Sequence, residues 1–122
     1  MGLDCKLLPN QWGPRFREVH GHMLACTSLD LTRHYALFEQ LPGYNRDDKL
    51  NLDGTVVDFD VEVYEDRGIK PRRTDSYGAP LRWVAAGELA KVKTDETSPW
   101  NKAVFAFIQA LPPETEIVIY WH

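Results

Sequence analysis

Apolar and polar residues alternate over several stretches of the chain, and this alternation predicts β-strands. The clearest case lies at 55–64, where four apolar residues share one face of the predicted strand: Val57, Phe59, Val61 and Val63. Shorter strands are predicted before Pro9, at 19–29 and at 81–85. The run at 114–122 is apolar on both faces, which is typical of a strand at the centre of a sheet.

Apolar residues at helical spacing predict three helices, of which the last is the clearest. The first covers 33–41, with Asp30 or Thr32 as its cap, and a short one covers 87–93. The last begins at its cap Ser98 and ends at Pro112-Pro113. Its spacing places four apolar residues inward: Trp100, Val104, Phe107 and Leu111.

Phe105 then falls on the outward arc of this last helix, beside polar residues. An apolar ring at such a position has two explanations. Either the sheet wraps farther around the helix, or the ring contacts a partner or a second copy of the chain.

Turn signals complete the predicted fold. Asp53-Gly54, between 49–52 and the strand at 55–64, is typical of a type I′ hairpin. The stretch 67–80 combines charges with Gly and Pro and predicts a long irregular connection, a natural place for function. The order of elements indicates an α+β fold, a mostly antiparallel sheet with two or three helices on one face. With 122 residues, we expect 1–122 to form a single domain.

Composition narrows the class of protein without indicating an activity. Hydrophobic residues make up 43% and charged residues 26%, as in ordinary globular proteins. The 14 Lys and Arg against 18 Asp and Glu give a net charge of −4, which disfavours nucleic acid as the partner. No apolar run approaches the roughly 18 residues of a membrane span, so we expect a cytosolic protein with no membrane partner. Cys5 and Cys26 lie in apolar runs and are expected to be free, buried thiols.

His20 and His22 raise the hypothesis of a metal site. On one strand, alternate residues project from the same face about 6.6 Å apart, close enough to share an ion. A third ligand would have to come from elsewhere, such as His34, His122 or a carboxylate, because Cys26 lies too far along the strand. Packed or exposed histidines are the commoner interpretation, and no cofactor is predicted, because the sequence contains no CxxC or HExxH spacing.

Asp58, Asp60 and Glu62 form a stripe of carboxylates on the polar face of the strand at 55–64. Neighbouring carboxylates are about 6.6 Å apart, so their repulsion must be relieved, by water or by a Lys or Arg on the adjacent strand. The functional interpretations are a basic partner surface or a divalent cation. We favour the partner, because carboxylates along a flat strand do not converge on one ion. Asp58, Asp60 and Glu62, together with Phe105, are the candidate partner-binding residues.

A cationic cluster lies in the predicted irregular connection and consists of Lys70, Arg72, Arg73 and Tyr77. Guanidinium groups beside a tyrosine ring suit a nucleotide or another small anion, so these are candidate ligand-binding residues. The commoner case is a solvated loop whose arginines pair with the acidic strand. No glycine-rich phosphate loop accompanies the cluster.

Short patches along the whole chain resemble a group of small uncharacterised proteins encoded by phages and prophages. The patches are MGL with LLP near the start, RHYALF, YGAPL with AGEL, and NKAV, LPPET and YWH toward the end. The resemblance implies a phage accessory gene product and brings no known activity with it.

We therefore expect a non-enzymatic binding protein, a phage factor that binds and inhibits a host or anti-phage defence component in the host cytoplasm. The chain has no GxSxG nucleophile motif, and cysteines in buried strands disfavour a thiolate. One alternative is a nucleotide or small-anion binding protein, or a metal-dependent hydrolase of such a ligand. Another is a structural protein that self-associates as a homo-oligomer.

Overall fold

The computed structural model describes residues 3–25, 27–44, 52, 54–65 and 68–122. These residues form a mixed set of strands and helices, which confirms the predicted α+β class. The elements are, in chain order, β1 (Cys5–Pro9), α1 (Gly13–His20), β2 (His22–Ala25), β3 (Leu29–Asp30), α2 (Tyr35–Phe38), β4 (Thr55–Val56), β5 (Asp60–Glu65), β6 (Gly68–Arg72), β7 (Arg82–Ala85), α3 (Ala86–Leu89), α4 (Pro99–Ala110) and β8 (Glu116–Trp121). Within these ranges, no helix has the length and apolar character needed to cross a bilayer.

The strands form two sheets where one was expected. The first sheet has the strand order β3-β1-β8-β7-β4, and each of its neighbouring pairs is antiparallel. The second sheet has the order β2-β5-β6, in which β2 runs parallel and β6 antiparallel to β5. The predicted preference for antiparallel pairing is confirmed, with β2-β5 as its exception.

Strand β8 is central, as its apolar sequence predicts. All six of its residues are buried. Ile117, Ile119 and Trp121 pack in one core with residues of α2, α3 and α4, so three helices lie on one face of the first sheet, as expected. Val118 and Tyr120 point the other way, into a second core between the two sheets.

The second core explains the alternating pattern at 55–64. Four residues of that pattern are buried in this core, together with Met23 of β2: Val57, Phe59, Val61 and Val63. The predicted continuous strand is nevertheless wrong, because Thr55–Val56 belongs to the first sheet and Asp60–Glu65 to the second. The chain crosses from one sheet to the other at 57–59 while keeping its apolar residues inward.

The predicted strand at 19–29 is also wrong at its start. Pro14 lies in the first turn of a helix, where proline is tolerated because its missing N–H would have no partner there. Gly21 ends this helix in a left-handed conformation, with φ of 78°. The two strands β2 and β3 follow it in different sheets.

Other helix and strand boundaries differ from the predicted ones for local reasons. The cap of α2 is His34, whose side chain accepts a hydrogen bond from the Leu37 N–H, rather than Asp30 or Thr32. Strand β6 lies within the stretch predicted to be irregular. Pro71 is compatible with this strand because β6 is at the edge of its sheet, where proline is tolerated. Of the predicted hairpin at 49–54, residues 49–51 and Asp53 lie outside the described residues.

Helix α4 begins as predicted, with the Ser98 side chain accepting a hydrogen bond from the Asn101 N–H, but its buried face is rotated. Phe105 is 1% exposed, so its expected place on the outward arc is wrong, whereas Trp100 is 58% exposed. The reason is Asn101, whose side-chain amide exchanges two hydrogen bonds with the backbone of Thr32 at 2.8 and 2.9 Å. Phe105 packs in the core between the helices and the first sheet, so its ring is not available to a partner.

Helix α1 is attached through polar contacts, since none of its residues is buried. Arg17 reaches the buried Glu116 carboxylate with two short hydrogen bonds, Nε to Oε1 at 3.0 Å and Nη2 to Oε2 at 2.8 Å. Asn10 donates a third at 2.9 Å, and the Arg17 guanidinium lies 4.6 Å from the centre of the Phe59 ring. This network ties α1 to the end of β8.

Candidate functional site

The side of the second sheet that faces away from the first sheet is the main candidate site. Along β5, Asp60, Glu62 and Tyr64 alternate with the buried Val61 and Val63, and therefore share the opposite side of the strand. The strand register adds neighbours from β2 and β6 to this side. We call the resulting surface the outer face, and it consists of His22, Leu24, Asp60, Glu62, Tyr64, Ile69 and Pro71.

Apolar side chains remain at the surface on the outer face. Tyr64 is 52% exposed and Ile69, directly opposite it on β6, is 47% exposed. Pro71 is exposed and Leu24 is half-buried. The outer face is thus a regular sheet surface that presents apolar groups to solvent.

Asp60 and Glu62 lie on the outward side of β5, as the alternating pattern predicts, whereas Asp58 precedes this strand. Asp58 is exposed, and Asp60 is paired with Arg73, whose Nε lies 2.8 Å from its Oδ1. A basic residue next to the stripe was the expected way to relieve its repulsion, and it is observed at Asp60. Glu62 has no Lys or Arg partner among the described residues.

The His22 ring faces Glu62, with its Nε2 3.7 Å from Oε1. His22 Nδ1 is 3.1 Å from the carbonyl oxygen of His20. Because a carbonyl only accepts hydrogen bonds, Nδ1 carries the hydrogen, and the neutral ring then turns a lone pair toward the carboxylate. A neutral His22 therefore gives Glu62 no hydrogen bond.

The predicted placement of the two histidines on one strand is wrong. His20 ends α1 and His22 begins β2, with the left-handed Gly21 between them. Their ring centroids are 6.3 Å apart, and the Phe16 ring lies 4.3 Å from His20 and 5.8 Å from His22. Among the residues described, no three His, Cys, Asp or Glu side chains are placed to share a metal ion. The histidines thus pack against an aromatic ring.

The cationic cluster is divided between two faces of the second sheet. Lys70 and Arg72 lie opposite Val63 and Val61 in the register, on the side away from the outer face. Arg73 bonds to Asp60 on the outer face.

Tyr77, the remaining member of the cluster, is 60% exposed in a separate turn. The backbone of this turn is fixed by Asp75, whose Oδ1 accepts hydrogen bonds from the N–H groups of Tyr77 and Ala79. The N–H of Ser76 also donates to Trp121 O at 3.0 Å. The four residues therefore do not converge on one surface.

Cys5 is a free, buried thiol, as expected. Burial raises the pKa of this thiol well above its ordinary value, and the charges of Asp30 and Asp4 add to the effect. It therefore stays protonated at neutral pH and is a poor nucleophile. Cys26 lies outside the described residues.

An open cleft of about 240 Å³ beside α2 was not predicted from the sequence. His34 and Leu37 line one side, and Lys93 and Thr97 line the other. Gln40 joins the two sides, because its amide exchanges hydrogen bonds of 2.9 and 3.1 Å with the backbone of Lys93. The Gln40 amide therefore makes its hydrogen bonds within the protein and connects the two sides of the cleft.

The outer face combines a regular backbone, half-exposed apolar side chains and one carboxylate that pairs with no Lys or Arg of the described ranges. Such a surface can bind a partner by contact and by charge. Comparison with protein-family models, with curated proteins and with solved structures finds no match to this chain.

Proposed function

We propose that the protein acts by binding another protein through the outer face. The observation that carries this proposal is the pair Tyr64 and Ile69, which lie side by side on adjacent strands with about half of each side chain exposed. Aromatic and aliphatic groups grouped on a rigid surface are typical of interaction sites. The sheet holds them in one geometry, so little conformational entropy is lost when a partner binds.

Charge complementarity indicates the kind of partner. The outer face carries Asp60 and Glu62, and Arg73 pairs with Asp60. A partner whose contact surface combines apolar groups with basic ones would match both features of the face.

The resemblance to phage and prophage proteins supports a more specific form of the proposal. On that basis the protein is a phage-encoded accessory protein, and its partner is a host or anti-phage defence protein that it inhibits in the host cytoplasm. Inhibition would follow from occupation of the partner's surface and requires no chemical step.

Affinity capture from bacterial lysates tests the proposal. The test variant carries Tyr64→Ser with Ile69→Ser, and the control carries Tyr35→Ser with Val19→Ser, two residues elsewhere that are also exposed (65% and 69%). We expect a protein that the wild type and the control capture and the test variant loses. With that protein purified, calorimetry should show an affinity weakened about 30-fold in the test variant and within twofold of wild type in the control.

Two results would contradict the proposal. One is that every captured protein binds the test variant as well as the wild type. The other is light scattering that shows a dimer which the test variant dissociates, because the occupant of the outer face would then be a second copy of this chain.

A further inference from the structure

Glu62 lies at the centre of the outer face. On β2 its neighbour across the strands is Leu24, and on β6 it is Pro71. Along β5 the next outward residue on one side is Tyr64 and on the other Asp60. A single carboxylate is thus enclosed by apolar groups on three sides.

The charge of Glu62 is the least compensated on this face. Asp60 is paired with Arg73 at 2.8 Å, whereas the ion-pair neighbour of Glu62 among the described residues is the His22 ring, at 3.7 Å. The orientation of that ring, fixed by its bond to the His20 carbonyl, leaves Glu62 without a hydrogen bond from neutral His22. The Glu62 side chain is 30% exposed, so the neighbouring residues already remove part of its hydration.

Binding of a partner would remove the rest of that hydration. A purely apolar partner surface would bury an unpaired carboxylate, which is strongly unfavourable. A lysine or arginine side chain would instead supply the missing charge, and its alkyl part could pack on Leu24, Pro71 and the Tyr64 ring.

We infer that Glu62 is the specificity-determining residue of the outer face and that the partner places a lysine or arginine side chain against it. This inference rests on the proposed function and adds to it the residue that selects the partner. The residues of the outer face then have different roles. Tyr64 and Ile69 provide contact area, and Glu62 disfavours partners that bring no positive charge.

A fluorescent octapeptide of alternating arginine and valine serves as the probe. The matched probe replaces each arginine by citrulline, which keeps the shape and removes the charge. The variants are Glu62→Gln and the control Glu114→Gln, which changes net charge equally at an exposed site in a loop. Glu62→Gln should keep the fold, as amide NMR spectra would verify, because no Lys or Arg within the described part of the chain pairs with Glu62.

We expect the arginine peptide to shift the amide signals of Leu24, Tyr64 and Ile69. Its affinity should fall at least fivefold in Glu62→Gln and less than twofold in Glu114→Gln, and the citrulline peptide should bind at least fivefold more weakly to the wild type. Equal losses in the two variants would overturn the inference, because the effect would then be one of net charge. Signals that shift elsewhere, or no binding at millimolar peptide, would overturn it as well.

The captured partner separates this inference from the proposed function. A partner that loses affinity for the Tyr64 and Ile69 variant but not for Glu62→Gln would leave the outer face as the binding site and refute the role of Glu62. A partner that binds both variants normally would refute the proposed function itself.

Discussion

Asp4 and Arg33 form a bidentate ion pair on the protein surface. Arg33 donates from Nε to Oδ1 at 2.8 Å and from Nη2 to Oδ2 at 3.0 Å. The hydrogen bond from Arg33 lowers the pKa of the Asp4 carboxyl below its ordinary value of 3.8. The unfolded chain therefore takes up this proton at a higher pH than the folded chain. The stabilisation by Asp4 is present above the unfolded pKa and is lost as the pH falls through the folded one.

Replacement of Arg33 by glutamine should return the pKa of Asp4 to near its ordinary value, because the charge and the paired donors are removed. Carbon NMR of the carboxyl group during an acid titration measures this directly. Arg15→Gln, at an exposed position on α1, is the control and should leave the titration of Asp4 unchanged. An Asp4 pKa that stays low in Arg33→Gln would show that Arg33 is not the cause.

Single residues also mark what the sequence could not reveal. Arg17 and Asn10 are 99 and 106 positions from Glu116, yet both bind its buried carboxylate. No local sequence pattern connects residues so far apart. From the sequence alone, Arg17 is indistinguishable from an ordinary charged residue at the surface. The outward positions of Asp60 and Glu62 were predictable, because alternation along a strand depends only on neighbouring residues, whereas Asp58 lies in the crossing between the two sheets.

At the scale of the elements, Asn101 joins α4 to the chain that continues from β3. Its amide bonds to the N–H and the carbonyl of Thr32, and its Nδ2 also donates to Thr97 Oγ1 at 2.8 Å. Asn101→Ala leaves these groups unsatisfied and should lower the free energy of unfolding by roughly 2–4 kcal/mol. Urea denaturation measures the loss, and Lys102→Ala, at the next and exposed position, should cost less than about 0.5 kcal/mol. Similar losses in both variants would contradict this role of Asn101.

The errors in predicting elements have physical causes. The phase of α4 was predicted from apolar residues alone, so a buried asparagine rotated the helix away from the prediction and placed Phe105 inside and Phe107 partly outside. Strand β6 contains Pro71 and charged residues, which are typical of a loop and are equally compatible with an edge strand. The start of α4 and the central place of β8 were predicted correctly, because a serine cap and a continuous apolar run are local signals.

At the scale of the whole molecule, the two cores share strands and should unfold together. Met23 lies in the core between the sheets, and Ile117 lies in the core beneath the helices; both are fully buried. Met23→Ala and Ile117→Ala should each lower the free energy of unfolding by about 2–5 kcal/mol. In both variants, tryptophan fluorescence and far-ultraviolet circular dichroism should give the same urea midpoint. Separate midpoints in either variant would show that the cores are independent.

The position of β8 has a consequence for synthesis of the protein. The strand pairs with β1 on one edge and β7 on the other, and its two faces contribute to both cores. While residues 116–121 are still inside the ribosome, the emerged part of the chain lacks the central strand of its larger sheet. Its helices then lack the β8 side chains against which they pack. Stable folding must therefore wait until that segment has left the exit tunnel, and until then the nascent chain exposes apolar surface on which chaperones can act.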